Sequence, residues 1–101
     1  MTQAALFIRH KALPGKRDEI RRVWEKHLRA RIADNAAHET YAHCYDDNDA
    51  DTIVVFQLYA DRSGPQDFVK AAWYPAYEQE VTPLLAGESE FRTATPMWVK
   101  R

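Results

Sequence analysis

The sequence predicts an α+β sandwich, a four-stranded antiparallel sheet with two helical segments on one face. Three observations predict it. Stretches of extended-favouring residues alternate with stretches of helical apolar spacing in the order β-α-β-β-α-β; the breaks between them fall at Pro, Gly and Asp clusters; and 101 residues leave room for one domain only. That order corresponds to the ferredoxin-like arrangement.

The first strand is Ala4 to Leu13 (AALFIRHKAL), rich in apolar and extended-favouring residues and ended by Pro14-Gly15. From Lys16, residues Ile20, Val23, Trp24, His27, Leu28, Arg31 and Ile32 recur at three- and four-residue intervals, the signature of an amphipathic helix that ends near Asn35. Its basic residues are interleaved with Asp18, Glu19 and Glu25, so this is a solvated helix face rather than a phosphate site. Glu39 to Asp46 (ETYAHCYD) alternates as a second strand. The acidic run Asp46 to Asp51 resembles a calcium loop, but it lacks the turn glycine, and Leu58 stands where the bidentate glutamate belongs, so a hairpin connection is expected. Thr52 to Ala60 (TIVVFQLYA) is the third strand, and Asp61 to Pro65 breaks it, with Ser63 or Gly64 starting the next helix. Gln66 to Trp73 and Tyr77 to Ala86 have helical spacing, with a break or kink at Pro75 and an end at Gly87. Glu88 to Val99 alternates as the fourth strand, which Pro96 assigns to a sheet edge.

The third strand is apolar on both parities: Ile53, Val55 and Tyr59 on one, Val54, Phe56, Leu58 and Ala60 on the other. Helices can cover only one sheet face, so the other calls for a second copy packed across a two-fold axis, and a homodimer is expected. If the hairpin pairs Tyr45 with Ile53, then His43 faces Val55 and Tyr41 faces Gln57, all on one side with Tyr59.

Composition narrows the function. Fourteen Lys+Arg against fifteen Asp+Glu leave a net charge of −1, no field for a polyanion or an anionic membrane, so neither nucleic acid nor membrane is an expected partner. RNA-recognition domains share the element order, but IVVFQLYA has no glycine and no basic residue beside its aromatics. The lone Cys44 cannot build a disulfide framework, Met1 to Ala4 does not open a signal peptide, and a cytoplasmic location is expected. No dinucleotide, P-loop or zinc motif is present. His10, His27, His38 and His43 are scattered, with His38 and His43 expected on opposite faces of their strand. No metal and no cofactor is expected.

What remains is aromatic density, three Trp, five Tyr and four Phe, several of them in FVKAAWYPAY (Phe68 to Tyr77). Most of these fill a core; the sharper reading is a pocket between sheet and second helix suited to a planar aromatic ligand. The chain resembles the antibiotic biosynthesis monooxygenase family, small dimeric α+β barrel proteins that include quinol monooxygenases. The resemblance rests on the Leu13-Pro14-Gly15-Lys16 turn, on Val55 to Asp61, on Tyr74-x-x-Tyr77 and on Thr82 to Gly87, and it spans nearly the whole chain. It implies a dimeric α+β barrel and a cofactor-free monooxygenase acting with O2 on a quinol or anthrone. Gln57 stands where many members carry glutamate, and Phe68 and Trp73 where they carry histidines; the Asn, Trp and His of haem-degrading members correspond to Ile8, Phe68 and Glu78, which disfavours haem degradation. His43 is the candidate base, with a hydrogen-bonded core histidine as the alternative, Tyr59 and Gln57 are candidate hydrogen-bonding partners in catalysis, and Phe68, Trp73 and Tyr77 are candidate ring contacts to substrate, with His10 a further candidate. The rival is a non-catalytic dimeric small-molecule-binding or stress-related protein.

Overall fold

A computed structural model describes residues 3–100. The strands are β1 (Ala4–Lys11), β2 (His38–Tyr45), β3 (Thr52–Tyr59) and β4 (Glu90–Ala94), and they form one antiparallel sheet of order β2-β3-β1-β4. The expected ferredoxin-like α+β architecture is therefore the observed one. The β2–β3 hairpin does pair Tyr45 with Ile53, and with it His43 with Val55 and Tyr41 with Gln57.

The first helical stretch is longer than one regular helix. It runs as α1 (Arg17–Trp24), a π turn at Glu25–Arg29, and α2 (Ala30–Asp34), with Ile20, Leu28 and Ile32 all buried. Apolar spacing alone does not reveal the wider turn, because the core contacts survive it. After β3 come α3 (Gly64–Val69), α4 (Tyr74–Val81) and a 3-10 turn at Thr82–Leu84. Pro75 is not the break: it sits in the first turn of α4, where its missing N–H costs nothing, and the chain bends just before it, between Val69 and Tyr74. β4 is also shorter than expected, ending at Ala94, so Pro96 lies beyond the strand rather than inside it, although β4 is an edge strand.

The core lies between the helices and the sheet face made by Ala4, Leu6 and Ile8 of β1 and Ile53, Val55 and Tyr59 of β3, closed by Ile20, Leu28, Ile32, Tyr77 and Val81. The opposite face leaves Phe7 and Val54 exposed, with Phe7 packed edge-on to Phe56 at 5.1 Å. Arg17 ties α1 to the hairpin, its guanidinium donating to the carbonyl oxygens of Asp46, Asp49 and Thr52 and lying 4.0 Å above the Tyr45 ring.

Two glycines are required by geometry. Gly15 turns the chain after β1 at φ 77°, where a side chain would be strained. Gly64 lets α3 begin directly on the buried Tyr59 ring: a Cβ there would stand 2.3 Å from Tyr59 Cδ1. Gly64→Ala is accordingly expected to cost about 1–3 kcal/mol of overpacking. Thermal unfolding checks it, at about 4–8 °C of lost Tm per kcal/mol for a domain of this size; an unchanged Tm would show that Tyr59 yields freely.

Candidate functional site

A cavity of about 700 Å³ opens between the helix-covered face of the sheet and α3–α4, within the range of small-molecule sites. Its floor is Leu6, Ile8 and His10 of β1, Tyr41 of β2, Gln57 and Tyr59 of β3 and Phe91 of β4. Phe68, Tyr74, Tyr77 and Val81 line the helical side, and Gly87 to Ser89 close one rim. The wall is thus mostly rings and aliphatic groups, with Glu78, Thr82 and Glu88 among its polar members.

His10 is the histidine on that wall. Alternation along β1 puts it on the same face as Leu6 and Ile8, beside Ile53. Its Nδ1 meets the Ser89 hydroxyl, its ring lies edge-on to Phe91 at 6.4 Å, and its Nε2 has no hydrogen-bond partner among the described residues. Burial pushes its pKa down to about 4, so the ring is neutral across the physiological range and Nε2 can carry a lone pair. The Tyr41, Tyr59 and Tyr77 hydroxyls are pushed the other way by burial and stay protonated.

Gln57 is the other polar feature of the floor, and it is only 4% exposed. Its Oε1 accepts from the Tyr59 hydroxyl at 2.6 Å and from His38 Nε2 at 3.0 Å. His38 is the residue that strand periodicity misplaces. An irregularity between His38 and Thr40 pairs His38 with Tyr59 while Thr40 pairs with Leu58, so one extra residue is absorbed and His38 rejoins the inner face with Tyr41 and His43 instead of opposing them. It packs against the rings of Tyr59 at 4.3 Å and Phe68 at 4.8 Å. Burial lowers its pKa, opposed by the hydrogen bond to Gln57.

Of the residues singled out from sequence, the structure brings His10, Gln57, Tyr59, Phe68 and Tyr77 together around one cavity and leaves two elsewhere. His43 has the expected facing, but Trp24 of α1 covers it, ring on ring at 4.4 Å, and it borders a separate cleft with Arg21, Glu25 and Arg29. Facing was legible from alternation; which helix residue lands above that position was not. Trp73 lies in a surface cleft on the far side of Phe68, under the Arg31 guanidinium at 4.5 Å.

Both ring nitrogens of His43 are buried without hydrogen-bond partners among the described residues. Its pKa falls to about 4, chiefly through burial, with His10 and Arg21 adding to the effect. Between the ordinary value of about 6.5 and that folded value, the unfolded chain binds a proton that folded His43 refuses, so stability falls as the pH drops through this window. His43→Phe preserves the stack on Trp24 and removes the titration. The loss of Tm between about pH 7.5 and about pH 5 should therefore shrink in the variant; an identical loss in both proteins would place the acid sensitivity elsewhere.

Among the described residues no group of three or more His, Cys, Asp or Glu could hold a metal ion, and no helix is long and apolar enough to cross a membrane. No family model and no curated protein matches the sequence. Solved structures do match. A protein from Caulobacter crescentus CB15, provisionally named an antibiotic biosynthesis monooxygenase, superposes with a TM-score of 0.87 at 15% identity over 96% of this chain and 92% of that one. The chain has the antibiotic biosynthesis monooxygenase fold. A similarly named protein from Chloroflexus aurantiacus J-10-fl gives a TM-score of 0.81 at 16% identity, covering 98% of this chain and 97% of its own. A substituted form of SnoaB, a cofactor-independent oxygenase from Streptomyces nogalater, gives 0.80 at 12% identity over 96% and 95%.

Proposed function

We propose that this protein is a cofactor-independent monooxygenase that oxidises a small aromatic substrate of the quinol or anthrone type with O2. The observation that carries the proposal is His10, its Nε2 unengaged among the described residues, on the wall of a largely ring-lined cavity that also holds the amide of Gln57. In such chemistry the substrate supplies the electrons. His10 Nε2 takes a proton from a phenol or from the acidic ring methylene of an anthrone, and the resulting anion passes an electron to O2. Recombination forms the C–O bond. The substrate gives up four electrons in all, one oxygen atom enters the product, and the other leaves as water. Gln57 hydrogen-bonds the substrate oxygen as charge gathers on it, Tyr59 holds Gln57, and Phe68 and Tyr77 flank the ring and exclude water. The resemblance to SnoaB in fold supports this reading.

A second reading is favoured by Gln57 and Phe68, which stand where the family resemblance implies acid–base groups: a binding protein of the same fold without turnover. Oxygen consumption with a hydroquinone and with a hydroxyanthrone separates the two. Uptake of O2 matched by hydroxyquinone or anthraquinone is expected; tight binding of these compounds without uptake would establish the binding protein instead. The exposed Phe7 and Val54 support a homodimer formed through the helix-free face, and the exposed, unpaired Cys44 fits a reducing, cytoplasmic location.

A further inference from the structure

We infer that His38 is a positioning residue that fixes the Gln57 amide with its NH2 group toward the cavity, and so selects ligands that present a hydrogen-bond acceptor there. This rests on the reading of the cavity as a small-molecule site. The backbone N–H of Ala37 can only donate, and it donates to Asn35 Oδ1 at 3.3 Å. With that oxygen engaged, the group Asn35 turns to His38 Nδ1, at 2.9 Å, is its NH2. Nδ1 must then be the acceptor, and in a neutral imidazole the proton is on Nε2. Nε2–H in turn needs an acceptor, and the atom 3.0 Å away is therefore the Gln57 oxygen, which also takes the Tyr59 hydroxyl at 2.6 Å. That oxygen is saturated. The Gln57 NH2 makes no hydrogen bond among the described residues, and Gln57 lines the cavity.

An amide left to itself offers a ligand either its oxygen or its nitrogen by rotating its terminal bond. Here the rotation would set NH2 against the His38 N–H, donor against donor. The site is thus committed to a carbonyl or an anionic oxygen at this point, and a ring with no such group leaves the NH2 unpaired.

The test compares two probes of similar size and planarity: chromone, which offers a ring carbonyl and no donor, and naphthalene, which offers neither. Binding is measured by equilibrium dialysis with the full chain. Wild type is expected to prefer chromone, and His38→Ala to reduce that preference by about three- to tenfold, the worth of one hydrogen bond, while naphthalene binding holds. His38→Gln, whose amide NH2 can reach the position of Nε2, should restore most of the preference. Asn35→Ala should lower it as well by freeing the His38 tautomer, and keeps the test available if His38→Ala does not fold. A chromone-to-naphthalene ratio unchanged in these variants, a parallel loss of both probes, or failure of wild type to bind either would overturn the inference. A shifted ratio without O2 uptake from any quinol would remove the oxygenase reading and leave this one standing; uptake with an unshifted ratio would do the reverse.

Discussion

His10→Gln is expected to lower the rate of oxygen consumption by about 10²–10⁴-fold, the usual contribution of a general base. The substitution retains hydrogen bonding and approximate size and removes basicity. The effect belongs in kcat more than in KM, because proton transfer is felt in the transition state and not in binding. The pH profile adds an independent check. With a pKa of about 4, the base is already neutral well below physiological pH, so turnover is flat above about pH 6 and falls only as the pH approaches 4. An ordinary histidine would instead give a rise centred near about 6.5. Unchanged turnover in His10→Gln, or a profile centred at the ordinary value, would remove His10 as the base. His43→Gln serves as the comparison: its ring is under Trp24, outside the cavity, and its loss should leave the rate near that of wild type.

The second large effect is on assembly. Phe7 stands on the helix-free face, 45% exposed and against Phe56. In a single chain, Phe7→Asp puts a carboxylate where water already reaches and changes stability little. In two sheets packed face to face it buries the charge twice, once from each copy, and buried unpaired charges are among the costliest contacts an interface can hold. Wild type is expected to sediment at twice the chain mass through an interface above about 1,000 Å². The variant is expected to sediment as a monomer with its circular dichroism intact. A wild-type monomer, or a variant dimer of undiminished affinity, would show that this face is not the one that associates.

The fold was legible because each strand and helix has a local signature that agrees with the whole: the Pro14-Gly15 stop, the alternation of TIVVFQLYA, the spacing from Ile20 to Ile32. So was the hairpin register as far as Thr40, since Tyr45 opposite Ile53 sets each pair up to Thr40 opposite Leu58. Within the site, His10, Gln57, Tyr59, Phe68 and Tyr77 were reachable from strand parity and aromatic clustering. Three features were not. His43 is inward by parity, but the stack of Trp24 on it depends on how α1 lies across the sheet, which periodicity leaves open. Trp73 falls in the bend between α3 and α4, where helical spacing no longer says which way a side chain turns. His38 was lost to the irregularity after it, for which Glu39 and Thr40 carry no distinguishing signal.

That irregularity also bears on how such a chain can drift. His38 is held opposite Tyr59 by strand pairing, and Glu39 is the surplus residue beside it. Deleting Glu39 would restore even alternation and still leave the histidine opposite Tyr59, facing inward. A gain or loss of one residue at this point is therefore close to neutral for the site, while it moves the histidine by one column in any position-by-position comparison. Chains that look mismatched here can carry the same imidazole against the same amide, and kinship at this position is better judged by strand partner than by residue count.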